Sequence, residues 1–140
     1  MQSIQIFSPV FALIFLTWAV WFYMYAKRIP FINGLSIEPD QLTPAELIRL
    51  SPPAVSNPSD NFKNLFEVPV IFYVLATYLY LTNQVDTLYL WGAWVFVVLR
   101  FLHSVVHCTF NKVMLRFVLY ALSSVTLLLM LVRAAFNHFL

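Results

Sequence analysis

Five polar residues recur at helical spacing inside a segment that is otherwise apolar enough to cross a membrane. Arg100 is followed at offsets of three, four, seven and eleven residues by His103, Ser104, His107 and Asn111. These offsets put all five side chains on one stripe of a helix. An arginine near the middle of a bilayer costs at least ~2.5 kcal/mol, so it faces a bundle interior or a wet cavity and needs a partner. The stripe therefore marks a candidate site.

Two other segments carry polar residues near the same end of the predicted bundle. Asn61, Asn64 and Glu67 follow one another in steps of three, and Tyr120 stands four residues after Arg116. Residues three or four apart are neighbours on a helix surface. Polar stripes on three helices predict a shared hydrated pocket.

The charged members of these stripes have structural interpretations as well as functional ones. Glu67 needs a cation, because an isolated buried carboxylate is neutralised or expelled. Arg100 is the expected partner, within one chain or across an interface, and the pair could serve only to fix helix register. Arg116 lies about one turn inside its helix, where an arginine commonly extends to water without a further role.

Metal binding and proton transfer are weaker interpretations of the same residues. His103 and His107 have the i, i+4 spacing of a metal pair, but Cys108 is rotated by about 100° from His107. No HExxH pattern or nearby carboxylate accompanies the pair, so we expect no metal. A proton relay through Glu67, His103 and Arg100 would imply a transporter, yet the sequence contains no inverted repeat.

The elements that hold these residues are predicted from composition. The chain of 140 residues is 61% hydrophobic and 10% charged, against roughly 45–50% and about 25% in soluble domains. This indicates an integral membrane protein with one domain over residues 1–140. The net charge is only +2 and there is no basic run, so we expect no nucleic-acid partner.

Four apolar segments approach the ~20 residues of a membrane crossing. They predict an all-α bundle of four transmembrane helices at residues 9–25, 64–81, 87–109 and 113–132. Lysine and arginine concentrate in the first and third connections, which puts the loop at residues 27–63 in the cytoplasm and both termini away from it. Within that loop, Thr43-Pro44-Ala45-Glu46 has capping-box spacing and predicts a short helix to Leu50. Short loops, with no transit peptide or organelle retrieval signal in the sequence, suit a bacterial inner membrane or the endoplasmic reticulum.

From Asn61 to Tyr120 the sequence resembles the membrane-associated proteins in eicosanoid and glutathione metabolism, or MAPEG family. Asn64-Leu65-Phe66-Glu67-Val68-Pro69 is similar to the family's N-x-x-E-x-P motif, and Arg100-Phe101-Leu102-His103-Ser104 to its R-x-x-H-[ST] motif. Arg116 and Tyr120 match its R-x-x-x-Y spacing.

The resemblance implies a homotrimer of four-helix subunits that binds glutathione as a co-substrate between neighbouring copies. Arg116 would then stabilise the glutathione thiolate, and Tyr120 would donate a hydrogen bond. The remaining glutathione contacts would be Lys63, Asn64, Glu67, Arg100, His103 and His107. An apolar electrophile would reach the site from membrane lipid.

Two kinds of function follow from the resemblance. The first is a glutathione-dependent enzyme, of transferase or peroxidase type, acting on lipophilic electrophiles. The alternative is a non-catalytic protein of the same fold that binds lipid or acts as a scaffold, since a fold does not establish catalysis. Asp60 stands where glutathione-binding members carry a basic residue, and this departure bears on the choice.

Overall fold

The computed structural model describes residues 3–139, and this part of the chain contains six α-helices. No β-strand occurs in this range, and a 3₁₀ turn at Ser3–Ile6 leads into the first helix. The helices are α1 Phe7–Asn33, α2 Pro44–Leu50, α3 Pro53–Asn64, α4 Val68–Leu81, α5 Thr87–Cys108 and α6 Val113–Phe139.

Four helical stretches are long and apolar enough to cross a membrane. They are Ser3–Asn33, Pro53–Leu81, Thr87–Cys108 and Val113–Phe139. The predicted all-α architecture with four spans is therefore confirmed.

The turns between the last three long helices lie at opposite ends of the bundle. The α4–α5 turn contains Asp86, which contacts Arg133 near the end of α6. The α5–α6 turn contains Asn111, which contacts Asn57 of α3. We refer to these as the Asp86 end and the Asn111 end. Between them the helices pack closely, with the rings of the buried Phe72 and Phe96 centred 4.9 Å apart.

The first helix is longer than predicted. It continues past residue 25 through Lys27 and Arg28 and ends at Asn33, where the Gly34 N–H caps the last turn. Lysine and arginine are good helix formers, so charge alone does not stop a helix. The long helix brings Arg28 alongside α3, where its Nη2 donates to Ser59 Oγ.

The second predicted helix begins four residues later than expected, and part of the predicted loop is helical. α3 begins at Pro53 and ends at Asn64, and α4 begins at Val68. Val55, Pro58 and Asn61 recur at steps of three and are buried, because α3 packs against α1 and α5.

The break between α3 and α4 falls at residues 65–67. Pro69 has no N–H to continue the hydrogen-bond ladder to Leu65, and it lies in the first turn of α4, where a proline is tolerated. Glu67 takes a non-helical backbone, with φ −93° and ψ −104°. Asn61, Asn64 and Glu67 therefore do not form the continuous helical stripe that their spacing predicted.

The remaining helices agree with the sequence in part. The capping box of α2 is present, since Thr43 Oγ1 accepts from the Glu46 N–H and Glu46 Oε2 accepts from the Thr43 N–H. α5 begins as predicted and ends one residue early, whereas α6 runs seven residues past the predicted boundary to Phe139. Those extra residues carry Arg133 and His138 to the Asp86 end.

Candidate functional site

Arg100 lies at the centre of a polar cluster between α5 and α6. Its side chain is fully buried, and its guanidinium carbon lies 4.7 Å from the centre of the Tyr120 ring. Nη2 donates to Ser124 Oγ at 3.4 Å. Nε and Nη1 are buried and have no acceptor among residues 3–139. The cation is thus held by the Tyr120 ring, the Phe96 ring with its centre at 5.4 Å, and a single hydroxyl.

The predicted ion pair between Arg100 and Glu67 does not form within the chain. Among the described residues the ion pairs are Lys63–Asp60 and Arg133–Asp86. Glu67 is exposed at the α3–α4 break. The pair is therefore absent as a direct contact within one chain, and a pair across a subunit interface stays a prediction.

His103 and His107 extend the cluster toward the Asn111 end. The two buried rings are centred 5.5 Å apart, and the His103 ring lies 5.9 Å from that of Tyr120. His103 Nδ1 lies 3.0 Å from the Arg116 carbonyl oxygen. Because a carbonyl only accepts, Nδ1 carries the hydrogen, and Nε2 of the neutral ring is an acceptor. His103 Nε2 and His107 Nδ1 are buried without a partner in residues 3–139.

Arg116 completes what we call the α5–α6 cluster: Arg100, His103, His107, Arg116 and Tyr120. Its side chain is half-buried, and Nη1 donates to Asn111 Oδ1 at 2.7 Å. This short contact involves a charged donor and is therefore of the stronger kind. It fixes the direction of the guanidinium while leaving the other N–H groups of the fork for a ligand.

Asn111 connects the cluster to α3 through the α5–α6 turn. Its backbone has φ 46°, a left-handed conformation that asparagine tolerates better than most residues. Its Nδ2 donates to Asn57 Oδ1 at 3.2 Å. Asn111 was expected on the α5 stripe, but α5 ends at Cys108. It reaches the cluster from the turn instead.

Three of the predicted site residues lie outside this cluster. Lys63 and Glu67 are exposed, and Asn64 is half-buried at the end of α3. Lys63 Nζ pairs with Asp60 Oδ1 at 3.3 Å. Within one chain, the structure brings together Arg100, His103, His107, Arg116 and Tyr120 but not these three.

A neighbouring group was noted in the sequence as polar but not assigned to the site. Asn61 is fully buried, accepts from Ser104 Oγ at 3.3 Å, and donates from Nδ2 to Cys108 Sγ at 3.4 Å. No pattern in the sequence pointed to Asn57, because its partner Asn111 lies 54 positions further along the chain. Only the packing of α3 on α5 reveals these residues.

A separate ion pair holds the Asp86 end together. Arg133 donates to both carboxylate oxygens of Asp86, with Nη1 and Oδ1 2.9 Å apart. Arg133 also lies 4.2 Å from the centre of the Tyr89 ring. The hydrogen bond from Arg133 lowers the pKa of Asp86 from 3.8 to about 2. This pair ties the start of α5 to the end of α6.

The profile of the MAPEG family matches residues 6–136. The chain belongs to the MAPEG family. No curated protein and no solved structure gives a significant match.

Membership accounts for the main features of the chain. MAPEG proteins are helical membrane proteins, and the four apolar spans make this one an integral, multi-pass member. It is a membrane protein of the glutathione and eicosanoid metabolism family. In residues 3–139 no three His, Cys, Asp or Glu side chains converge as a metal site would require.

Proposed function

We propose that this protein is a glutathione-dependent membrane enzyme, of transferase or peroxidase type, that acts on lipophilic electrophiles. The observation that carries the proposal is the α5–α6 cluster, where Arg100 and Arg116 have no carboxylate partner among residues 3–139. Four buried nitrogen atoms of Arg100, His103 and His107 lack partners in the described chain. Each such atom costs about 1–3 kcal/mol, so a polar ligand that pairs with them binds favourably.

Arg116 is the residue we assign to thiol activation. A free cysteine thiol has a pKa of about 8.5, and only the thiolate is a strong nucleophile. A fixed guanidinium stabilises the thiolate and raises its fraction at neutral pH. Arg116 is suited to this role because Asn111 anchors it at 2.7 Å from one side only.

Tyr120 is the second catalytic residue in the proposal. When the thiolate sulfur attacks an electrophilic carbon, a sulfur–carbon bond forms and the electron pair moves to a leaving group or an opening epoxide oxygen. The Tyr120 hydroxyl donates a hydrogen bond to that oxygen. The Arg100 guanidinium over the Tyr120 ring stabilises negative charge developing there.

The remaining glutathione contacts are proposed to come from two copies of the chain. The tripeptide has two carboxylates and an α-amino group, which suit cations and Glu67 respectively. Lys63, Asn64 and Glu67 lie apart from the α5–α6 cluster in one chain. We therefore place the site at a subunit boundary of a homotrimer, where these three complete it together with Arg100, His103 and His107.

We also propose that the Asn111 end faces the cytoplasm. Lys27, Arg28, Arg49, Lys63 and Lys112 lie at this end or in its connections, and cytoplasmic loops accumulate such residues. Water-soluble glutathione would enter there, while the electrophile arrives laterally from lipid. Both chain termini would then lie on the other side of the membrane.

The test is the ultraviolet absorbance of the thiolate on adding glutathione to the detergent-purified protein. Wild type is expected to give a saturable signal that Arg116→Ala abolishes and Arg116→Lys partly restores. Lys112→Ala is the matched control, because it removes a nearby exposed cation outside the α5–α6 cluster. An unchanged signal in Arg116→Ala would remove Arg116 from this role.

A non-catalytic lipid-binding or scaffold protein of the same fold is the second candidate. One contact favours it: Asp60 pairs with Lys63, so this cation is already partly neutralised. This candidate predicts no thiolate signal at millimolar glutathione, while lipid stays bound through purification.

A further inference from the structure

One stripe of α1 changes from apolar to cationic as it approaches the Asn111 end. It carries Ile14, Trp18, Trp21, Tyr25 and Arg28, which recur at steps of three or four residues. Such residues form a single row on the surface of a helix. The row from Trp18 to Arg28 spans about 15 Å along the helix axis.

A matching row on α3 faces this stripe. Ser59, Phe62 and Phe66 lie at the same spacing on α3 and in the turn that follows it, and α3 packs against α1. We call the seam between the two rows the α1–α3 lane. It begins in the apolar part of the bundle and ends at the polar pair formed by Arg28 and Ser59.

The apolar half of the lane contains a cavity of about 350 Å³. Its walls include Thr17, Trp18, Trp21, Phe62 and Phe66. The volume lies in the range of pockets that hold small ligands, roughly 300–1,000 Å³. Its lining is almost entirely apolar, which suits a hydrocarbon chain.

The polar half contains a cation that is incompletely paired. Arg28 Nη2 donates to Ser59 Oγ at 2.8 Å, while Nε is buried with no acceptor in residues 3–139. Ser56 and Lys63 line the same small cavity of about 50 Å³. Asp60 also borders it, but its carboxylate pairs with Lys63. A guanidinium with a hydroxyl and an ammonium nearby is a favourable arrangement for a phosphate group.

We propose that the α1–α3 lane binds one anionic phospholipid, with its phosphate on Arg28 and an acyl chain in the cavity. This assignment rests on the arrangement of the lane, whose apolar cavity leads to a cation, just as the acyl chain of a phospholipid leads to its phosphate. A free anion would leave the apolar cavity unexplained, and a purely apolar molecule would leave Arg28 unpaired. The surrounding bilayer supplies the lipid. The lane shares no residue with the α5–α6 cluster, and only Lys63, at the edge of the small cavity, is also a proposed glutathione contact.

Native mass spectrometry of the detergent-purified protein tests the proposal. The probes are dioleoylphosphatidylglycerol, which is anionic, and dioleoylphosphatidylcholine, which is zwitterionic with the same acyl chains. Wild type is expected to retain the anionic lipid preferentially. Arg28→Gln should lower that retention about tenfold, because a charge-assisted pair is lost. Lys27→Gln removes the same charge one residue away and should leave retention unchanged, since Lys27 lies over the Tyr23 ring instead.

A second variant tests the acyl half without changing charge. Thr17→Phe fills the cavity and should lower retention of the anionic lipid while Arg28 is intact. The Thr17 hydroxyl donates to the Leu13 carbonyl oxygen of its own helix at 2.9 Å and also interacts with the Tyr73 side chain. Thr17→Val, which removes the hydroxyl without filling the cavity, is therefore the matched control and should retain the lipid. Equal retention of the two lipids by wild type, equal losses in Lys27→Gln and Arg28→Gln, or full retention in Thr17→Phe would each overturn the proposal. Displacement of the lipid by millimolar inorganic phosphate would also overturn it, by showing a site for free anions.

Discussion

Asn111→Gly is expected to weaken thiol activation while leaving the fold intact. Glycine adopts the φ of 46° found at this position without strain, so the turn itself is preserved. The substitution removes Oδ1, the acceptor that holds Arg116 Nη1 at 2.7 Å. It also removes the Nδ2 hydrogen bond to Asn57, so Asn57→Ala, which breaks that bond alone, is a second control and should titrate like wild type. Hydrogen bonds to charged groups are worth about 1.5–3 kcal/mol, enough to define one position of the guanidinium.

The size of the effect follows from Coulomb's law. A unit charge that retreats from about 4 Å to about 7 Å loses roughly 2 kcal/mol of interaction at an effective dielectric constant near 20. This corresponds to slightly more than one pKa unit, at 1.36 kcal/mol per unit. The pKa of the bound glutathione thiol should therefore rise by about one unit. Below that pKa, the thiolate fraction and kcat/KM should fall roughly tenfold.

The assay is a pH titration of thiolate absorbance at saturating glutathione. Asn83→Gly is the matched control, because Asn83 also has a left-handed backbone, with φ 55°, but lies in the turn at the Asp86 end. The control should titrate like wild type. If Asn111→Gly binds glutathione and titrates at the wild-type pKa, the anchoring role of Asn111 is refuted.

Three further changes test the structural account. Asp86→Asn should lower stability by ~1 kcal/mol, because its pair with Arg133 is more than a third exposed. Folding lowers the pKa of Asp86 from 3.8 to about 2. In thermal melts, wild type should therefore be more stable than this variant above about pH 4, and this difference in stability should disappear as the pH falls through 2. A pH-independent difference would contradict this linkage. Arg100→Met should leave the melting temperature unchanged or raise it, because it removes a buried cation with no carboxylate partner among the described residues. The same variant should abolish the glutathione signal. A much lower melting temperature would show that the charge is structural. The free energy of unfolding of Gly92→Ala should stay within about 1 kcal/mol of that of wild type. The Sδ atom of Met130 lies 2.9 Å from the new Cβ, so this flexible side chain must shift, but the gain in helix propensity offsets that cost. A larger loss in a denaturant titration would mean that Met130 has no room to move.

The break between α3 and α4 shows where local patterns mislead. Asn61, Asn64 and Glu67 follow one another at steps of three residues, which is the spacing of one helical face. The proline at position 69 was visible, but its effect depended on whether the chain could bend there. Packing of α3 against α1 and α5 provides the contacts that hold both helices around the bend.

The sequence by itself determined the features that depend on local period and composition. These include the four membrane spans, the capped helix after Thr43, and the clustering of Arg100, His103 and His107 on one face of α5. A helix face is set by residues three or four positions apart, so it can be read along the chain.

Only the tertiary structure decided which polar groups meet. The contacts between Asn57 and Asn111, and between Asp86 and Arg133, join residues 54 and 47 positions apart. In the same packing, Glu67 and Arg100 form no ion pair within the described chain. Such contacts depend on the lengths, bends and rotations of whole helices, which are set by close packing of many side chains rather than by any one motif.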